Sequence, residues 1–171
     1  ISMVDTQGER AITVIGERLQ PRAEDPLPWD ELSEYDGIFL TAADSQVVKF
    51  ARKASVLVAT PRVGIKTINE SNVLLDGLIG SALDPDEKVN EKELLIKPKL
   101  RISTMGAKGG NASPGGRFKA IKLESRAIDT YGCGDSFAAG LTTGLAANFS
   151  YEQAISLGTH IGANCAANFG P

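Results

Sequence analysis

Short apolar, β-branched runs alternate along the chain with segments of helical period. The runs are Ala11–Ile15, Gly37–Leu40, Val56–Ala59, Gly77–Gly80 and Leu100–Thr104, each of a length that suits a strand. Between the second and third, Val47, Phe50, Ala51 and Ala54 recur at i, i+3, i+4 and i+7, one face of a helix that Asp44 or Ser45 can cap. Helical stretches are also expected at Thr67–Leu74 and Asp86–Leu95. Strand, helix and strand in alternation, with strands at about 20-residue intervals, predict an α/β fold with a mostly parallel sheet and helices on both faces, a three-layer α/β/α arrangement.

Proline and glycine punctuate this pattern. Pro21, Pro26 and Pro28 exclude a regular element from Leu19–Trp29, because each removes a backbone donor and fixes its own φ. Trp29, next to them, reads as a loop anchor. Ser113–Gly116 reads S-P-G-G ahead of a strand-like Arg117–Leu123, which is hairpin turn chemistry. Gln7-Gly8 offers a similar turn between two strand-like runs. No internal repeat or linker divides the chain, so a single domain is expected.

Composition narrows the function classes. With 171 residues, 42% of them hydrophobic, the chain can bury an ordinary core without disulfides or a structural metal. Its cysteines, Cys133 and Cys165, do not form a disulfide framework or a zinc pattern, and they fit a reducing, cytoplasmic compartment. Cys165 shares a helix face with Ala154, Leu157 and Ile161 and reads as a core thiol. Eighteen Lys and Arg against 21 Asp and Glu give a net charge of -3 with no basic arm or cluster, which argues against nucleic acid as a partner. The stretch after Glu152 has no formal charge, but Ser156, Thr159, His160, Asn164 and Asn168 make it too polar for a membrane span.

The chemistry concentrates at Asp129–Asp135, D-T-Y-G-C-G-D, followed by an uncharged helical run. Glycines at 132 and 134 let the amides of Gly132, Cys133 and Gly134 turn together toward an anion beside a helix N-terminus. A carboxylate at Asp135 in that setting stays ionised and can accept a proton from a hydroxyl attacking a phosphate. Standing alone, the pattern also fits a glycine-rich turn with Asp135 as a helix cap. A second motif lies upstream, directly after the Leu100–Ser103 strand: Thr104-Met105-Gly106-Ala107-Lys108-Gly109-Gly110.

In this order, with a hairpin between them, the two motifs resemble the C-terminal half of the ribokinase-like, or PfkB-type, carbohydrate kinases, whose signature is D-T-x-G-A-G-D preceded by T-x-G-x-x-G. The resemblance implies a ribokinase-like fold and an ATP-dependent transfer to a primary hydroxyl of a sugar, sugar derivative or nucleoside. By the same resemblance Asp135 is the catalytic base, and Gly132, Cys133 and Gly134 form the anion hole, with Cys133 in place of the usual alanine. Thr104, Gly106 and Gly109 contact ATP, and Thr159 and His160 approach the adenine. Asp129 corresponds to a position that holds a monovalent cation, K⁺, in some members, and otherwise reads as a turn cap. A hydrogen-bonded structural role is the other reading of His160, and a solvated loop lysine that of Lys108.

The departures from the family pattern are equally specific. Where the family has N-x-x-E, this chain has Asp84-Pro85-Asp86-Glu87. Glu87 and Asp84 can hold water of a hydrated Mg²⁺, or Asp84 can cap a helix before Pro85 with Glu87 completing a capping box. The family's N-terminal, substrate-binding portion has no counterpart here, so residues 1–171 are expected to be the kinase domain without it, with 1–18 as a lid-proximal piece. A homodimer is left open. A non-catalytic nucleotide- or sugar-sensing module on the same fold is the rival reading. A dinucleotide-binding dehydrogenase fits poorly, since Phe137 stands where a third glycine is needed.

Overall fold

The computed structural model describes residues 1–4, 10–13, 15–16, 19–124 and 126–168. β1 (Ser2–Val4) and β2 (Arg10–Ile12) pair antiparallel as a separate ribbon, with Met3 opposite Ala11. The turn expected at Gln7-Gly8 lies outside the described residues, as does Val14 of the expected Ala11–Ile15 run.

The main sheet has six strands in sequential order: β3 (Gly37–Leu40), β4 (Val56–Ala59), β5 (Gly77–Ser81), β6 (Leu100–Thr104), β7 (Gly110–Ser113) and β8 (Gly116–Phe118). β3 to β6 run parallel, and β7 and β8 return antiparallel. Period-two alternation splits the apolar residues between two cores. Leu57, Ala59 and Leu78 face α1 (Ser45–Ala51) and α2 (Ile65–Ser71), burying Val47, Val48, Ala51 and Ile68. Val58, Ile79, Leu100 and Ile102 face the other way, onto Phe137, Leu141, Ala154 and Ile155 of α3 (Cys133–Ala146) and α4 (Tyr151–Ala167). This is the expected three-layer arrangement.

Local chemistry sets the boundaries. Asp44 caps α1, its Oδ1 accepting from the amides of Gln46 and Val47 at 2.9 and 2.8 Å, while Oδ2 accepts from Ala23 at 2.9 Å and draws the proline-rich segment onto the helix start. Burial works against its charge, but the amides of Val47, Ala23 and Gln46 outweigh it and hold the carboxyl below its ordinary value. Trp29 does anchor the loop, packing 5.7 Å from the Phe50 ring.

Three expected elements differ. The helix expected at Thr67–Leu74 starts earlier, at Ile65, and stops at Ser71 because Asn72 takes a left-handed φ of 53°. Asp86–Leu95 forms no α-helix but two short 3₁₀ turns, Pro85–Glu87 and Glu91–Glu93. Asn69 holds the second turn's end open, donating to the Glu93 carbonyl at 2.7 Å and accepting from the Leu95 amide at 3.0 Å. The strand expected over Arg117–Leu123 ends at Phe118.

Candidate active site

The sheet's geometry brings both glycine motifs to one edge. A Cβ on Gly37, at the start of β3, would lie 3.1 Å from Thr142 and 3.2 Å from Ala146, so the C-terminal half of α3 covers the amino end of the strand. The helix therefore runs antiparallel to the strands, and its N-terminus sits at their carboxyl edge, where ligands bind in open α/β sheets.

That N-terminus leaves several backbone amides open. Gly132 precedes the helix in a left-handed conformation, φ 76°, which turns the chain into α3 without a side-chain cap. Ser136 already donates to the Gly132 carbonyl at 2.8 Å, and the Cys133 amide leans back toward the Thr130 carbonyl at 3.5 Å. The amides of Gly132, Gly134 and Asp135 have no hydrogen-bond partner among the described residues. The sequence pointed to Gly132, Cys133 and Gly134; in the structure the amides of Gly132 and Gly134 are open, that of Asp135 is open with them, and that of Cys133 faces the Thr130 carbonyl. Asp135 is exposed, and its carboxylate has no partner among the described residues.

The loop leading into the helix is held from behind. Ile128 donates to the Ala166 carbonyl of α4 at 2.8 Å, and the Cys165 thiol reaches the Tyr131 carbonyl at 3.3 Å. Asp129 accepts the Tyr131 amide at 2.9 Å, the turn-capping geometry weighed for it from sequence. Burial, reinforced by the neighbouring Cys165 thiol and the Asp129 charge, pushes the half-buried Cys133 thiol up to about 12. It is protonated at neutral pH, so Cys133 is no nucleophile in the resting site.

Thr104 closes β6 in register with Leu100 and Ile102, which places it on the α3 side, and its hydroxyl donates to the Gly80 carbonyl at 3.4 Å. After it, Met105 to Gly109 fold into a closed turn, the Met105 amide donating to the Gly109 carbonyl at 2.7 Å. Gly106 is exposed at the tip and Gly109 is buried. A Cβ on Gly109, where φ is 85°, would lie 2.1 Å from the Phe118 carbonyl oxygen, so the hairpin itself requires glycine there. Thr159 and His160 hydrogen-bond back into α4, to the Ser156 carbonyl at 2.7 Å in both cases, and the His160 ring is otherwise exposed. Their level on the helix is that of the first turns of α3, since Gly158 packs on the Phe137 carbonyl and Gly162 on that of Cys133.

Asp84 and Glu87, expected to hold water of a hydrated Mg²⁺ or to cap a turn, are both paired with an arginine. Arg62, in the turn after β4, donates Nε to Glu87 at 2.5 Å and Nη2 to Asp84, and the second oxygens accept the amides of Ser81 (2.7 Å) and Asp86 (2.9 Å). The guanidinium already supplies the positive charge, and both oxygens of each carboxylate are engaged. Gly80 permits this clasp, since a Cβ there would lie 2.8 Å from the Glu87 carbonyl and 3.0 Å from Pro61. The Asp84 geometry is that of a cap on the Pro85–Glu87 turn. Sequence reasoning passed over Arg62; its only signal there was an arginine one residue past a strand-ending Thr-Pro.

Among the described residues, no helix is long and apolar enough to cross a membrane, and no group of three metal-ligating side chains gathers. A family model described as pfkB family carbohydrate kinase matches residues 31–171. Among solved structures, ribokinase from Thermotoga maritima is similar over 99% of this chain and 63% of its own, with a TM-score of 0.74 and 21% identity. A nucleoside kinase from Burkholderia thailandensis, solved with inosine, matches 82% of this chain and 54% of its own at a TM-score of 0.62 and 23% identity. Phosphofructokinase-2 from Escherichia coli, solved with potassium, matches 96% and 62% at 0.62 and 16%. The chain thus spans between about half and two thirds of each of these structures. No curated protein matches it.

Proposed function

The chain belongs to the pfkB family of carbohydrate kinases, and from that premise we propose that it carries the nucleotide-binding and catalytic part of an ATP-dependent kinase for a hydroxyl of a sugar, sugar derivative or nucleoside. The observation that carries the reading is Asp135, a carboxylate in the first turn of α3 with no partner among the described residues, beside amides likewise without one at the sheet's carboxyl edge.

In this reading ATP is the donor and Mg²⁺ accompanies it. The open amides of Gly132, Gly134 and Asp135 stabilise the oxygens of the moving phosphoryl group, and Asp135 takes the proton of the attacking hydroxyl. The acceptor oxygen bonds to the γ-phosphorus, the bond to the ADP oxygen breaks, and the proton ends on Asp135. Thr104 and the Gly106 tip line the nucleotide side of the crevice, and Thr159 and His160 border it from α4. K⁺ enters at Asp129, by analogy with the potassium bound to Escherichia coli phosphofructokinase-2. A projecting CH₂OH suits the narrow in-line approach better than a ring hydroxyl. Most acceptor contacts are assigned to the part of the longer relatives that this chain does not match, so residues 1–171 bind nucleotide and transfer slowly.

The test is a comparison of wild type with Asp135→Asn, measuring acceptor-dependent ADP release and nucleotide affinity. Lost turnover with retained affinity supports the base; unchanged turnover in a folded variant overturns it.

A further inference from the structure

Aspartate followed by glycine occurs twice in the chain, at Asp36-Gly37 and at Asp76-Gly77. The pair matters chemically because glycine has no Cβ to shield its amide nitrogen, which can then attack the side-chain carbonyl carbon of the aspartate before it. The fold treats the two pairs oppositely. Asp76 is buried, with Arg52, Lys99 and the Leu57 amide on its carboxylate, its own amide on the Leu57 carbonyl at 2.8 Å and its carbonyl accepting Leu100 at 3.1 Å. Asp36 stands in a bend just ahead of β3, exposed, and its carboxylate has no partner among the described residues.

The backbone around Asp36 is open as well. β3 is an edge strand of the main sheet, paired with β4 alone. The Val56 amide donates to the Asp36 carbonyl at 2.9 Å and the Thr60 amide to the Leu40 carbonyl at 3.0 Å. That parity turns residues 36, 38 and 40 toward β4 and leaves the Gly37 amide on the open side of the sheet. Asp36 and Gly37 also line a surface groove with Phe39, Ala139, Thr143 and Ala147, which gives water access to their peptide bond.

We propose that Asp36-Gly37 is a site of spontaneous isoaspartate formation and that the fold protects Asp76-Gly77 from the same reaction. The Gly37 nitrogen bonds to Cγ of Asp36 and gives up its proton, and one carboxyl oxygen leaves as water, closing a five-membered succinimide. Water then adds to either ring carbonyl, and the C–N bond at that carbon breaks. Cleavage at Cγ restores aspartate; cleavage at the main-chain carbonyl carbon leaves the chain running through Cβ and Cγ, an isoaspartate. One water leaves and one returns, so no oxidant or other co-reactant is needed. Closing the ring at Asp36 disturbs one rung at a strand end, whereas at Asp76 three partners hold the carboxylate and two main-chain hydrogen bonds hold the backbone. The isomer lengthens the chain by one methylene at the start of β3. The carbonyl that accepts the Val56 amide becomes a carboxylate off the main chain, and Gly37 is displaced from Thr142 and Ala146, which its missing Cβ would approach to 3.1 and 3.2 Å.

The experiment ages residues 1–171 in neutral buffer at body temperature, folded and in urea. Electron-transfer fragmentation of the peptides spanning each pair separates isoaspartate from aspartate, and isoaspartyl methyltransferase with S-adenosylmethionine measures it in the intact chain. The folded protein is expected to accumulate isoaspartate at Asp36 about tenfold or more over Asp76, because a strand end opens at lower free energy than a buried pair. In urea the two sites are expected to react alike. Hydrogen exchange at the Val56 amide should rise with the modified fraction. Asp36→Glu, whose ring would have six members, is expected to lose the methylation signal and keep the wild-type melting temperature. No isoaspartate at Asp36 in the folded chain, equal amounts at Asp36 and Asp76, or a signal that Asp36→Glu leaves unchanged overturns the site. A gap between the two pairs that persists in urea overturns the protection of Asp76 by the fold.

Discussion

Two aspartates at opposite ends of the sheet show how differently this fold treats a carboxylate. Asp76 precedes β5 at the amino edge, buried, and accepts Arg52 at 2.6 Å, Lys99 at 2.8 Å and the Leu57 amide at 2.8 Å. Asp135 stands at the carboxyl edge, exposed, with no partner among the described residues. Burial alone would raise the Asp76 carboxyl, but the hydrogen bonds from Lys99, Leu57 and Arg52 outweigh it and hold it below its ordinary value. A carboxylate so fully engaged fastens β4, β5 and β6 together. One left open is available to chemistry. The Arg62 clasp belongs with Asp76: its carboxylates are occupied, and its work is to tie the turn after β4 to the loop after β5.

The contrast is sharpest in variants of the two aspartates. Asp135→Asn is expected to lower turnover by about 10²- to 10⁴-fold, the worth of a positioned base, while the melting temperature stays close to wild type. Loss of stability in place of turnover would put Asp135 in the structural class. Gly109→Ala tests the hairpin that carries the upstream motif: a Cβ 2.1 Å from a backbone oxygen at positive φ should cost about 3 kcal/mol by urea denaturation, from overpacking plus strain. A neutral result would mean that the turn yields more easily than its contacts imply.

Asp76→Ala should cost about 1–3 kcal/mol, since the buried Leu57 amide loses its acceptor, with nucleotide affinity unchanged. The pH dependence follows from the sign of the shift. The folded carboxyl lies below its unfolded value, so its contribution is fully present above about pH 4, the ordinary carboxylate range. It is lost as pH falls through the folded value; denaturation from pH 6 to 2 is expected to show this loss in wild type and not in Asp76→Ala. Smallest of all, Arg62→Ala should cost about 1 kcal/mol, because the clasp is partly exposed. It should leave the magnesium requirement where it was. A shifted metal titration would return Asp84 and Glu87 to the metal.

Much of the contrast was legible before the structure. The strand runs and the Asp44 cap are local patterns, written in period-two burial and in one carboxylate two and three residues before the amides it caps. The turn into α3 was legible because glycines stand on either side of Cys133, and Gly132 takes the left-handed φ of 76° there. What escaped sequence depends on contacts distant along the chain. Asp86–Leu95 has helical composition, but Glu87 is drawn to Arg62 and Asn69 takes the Glu93 carbonyl and the Leu95 amide, neither of which a local pattern contains. The same holds for Asp84 and Glu87, whose engagement depends on Arg62, and for the Cys165 thiol on the Tyr131 carbonyl, which the close packing of α3 on α4 brings about.

The central claim is that the open amides at the start of α3 receive phosphate next to an open carboxylate. Amide-resolved NMR titration of residues 1–171 with ATP tests it without requiring turnover. The account predicts that the largest shifts fall on the amides of Gly132, Gly134 and Asp135, with smaller ones at Thr104 and Gly106, and little at Leu57 and Asp76. Saturable ATP binding that leaves the amides from Gly132 to Asp135 unmoved would contradict it.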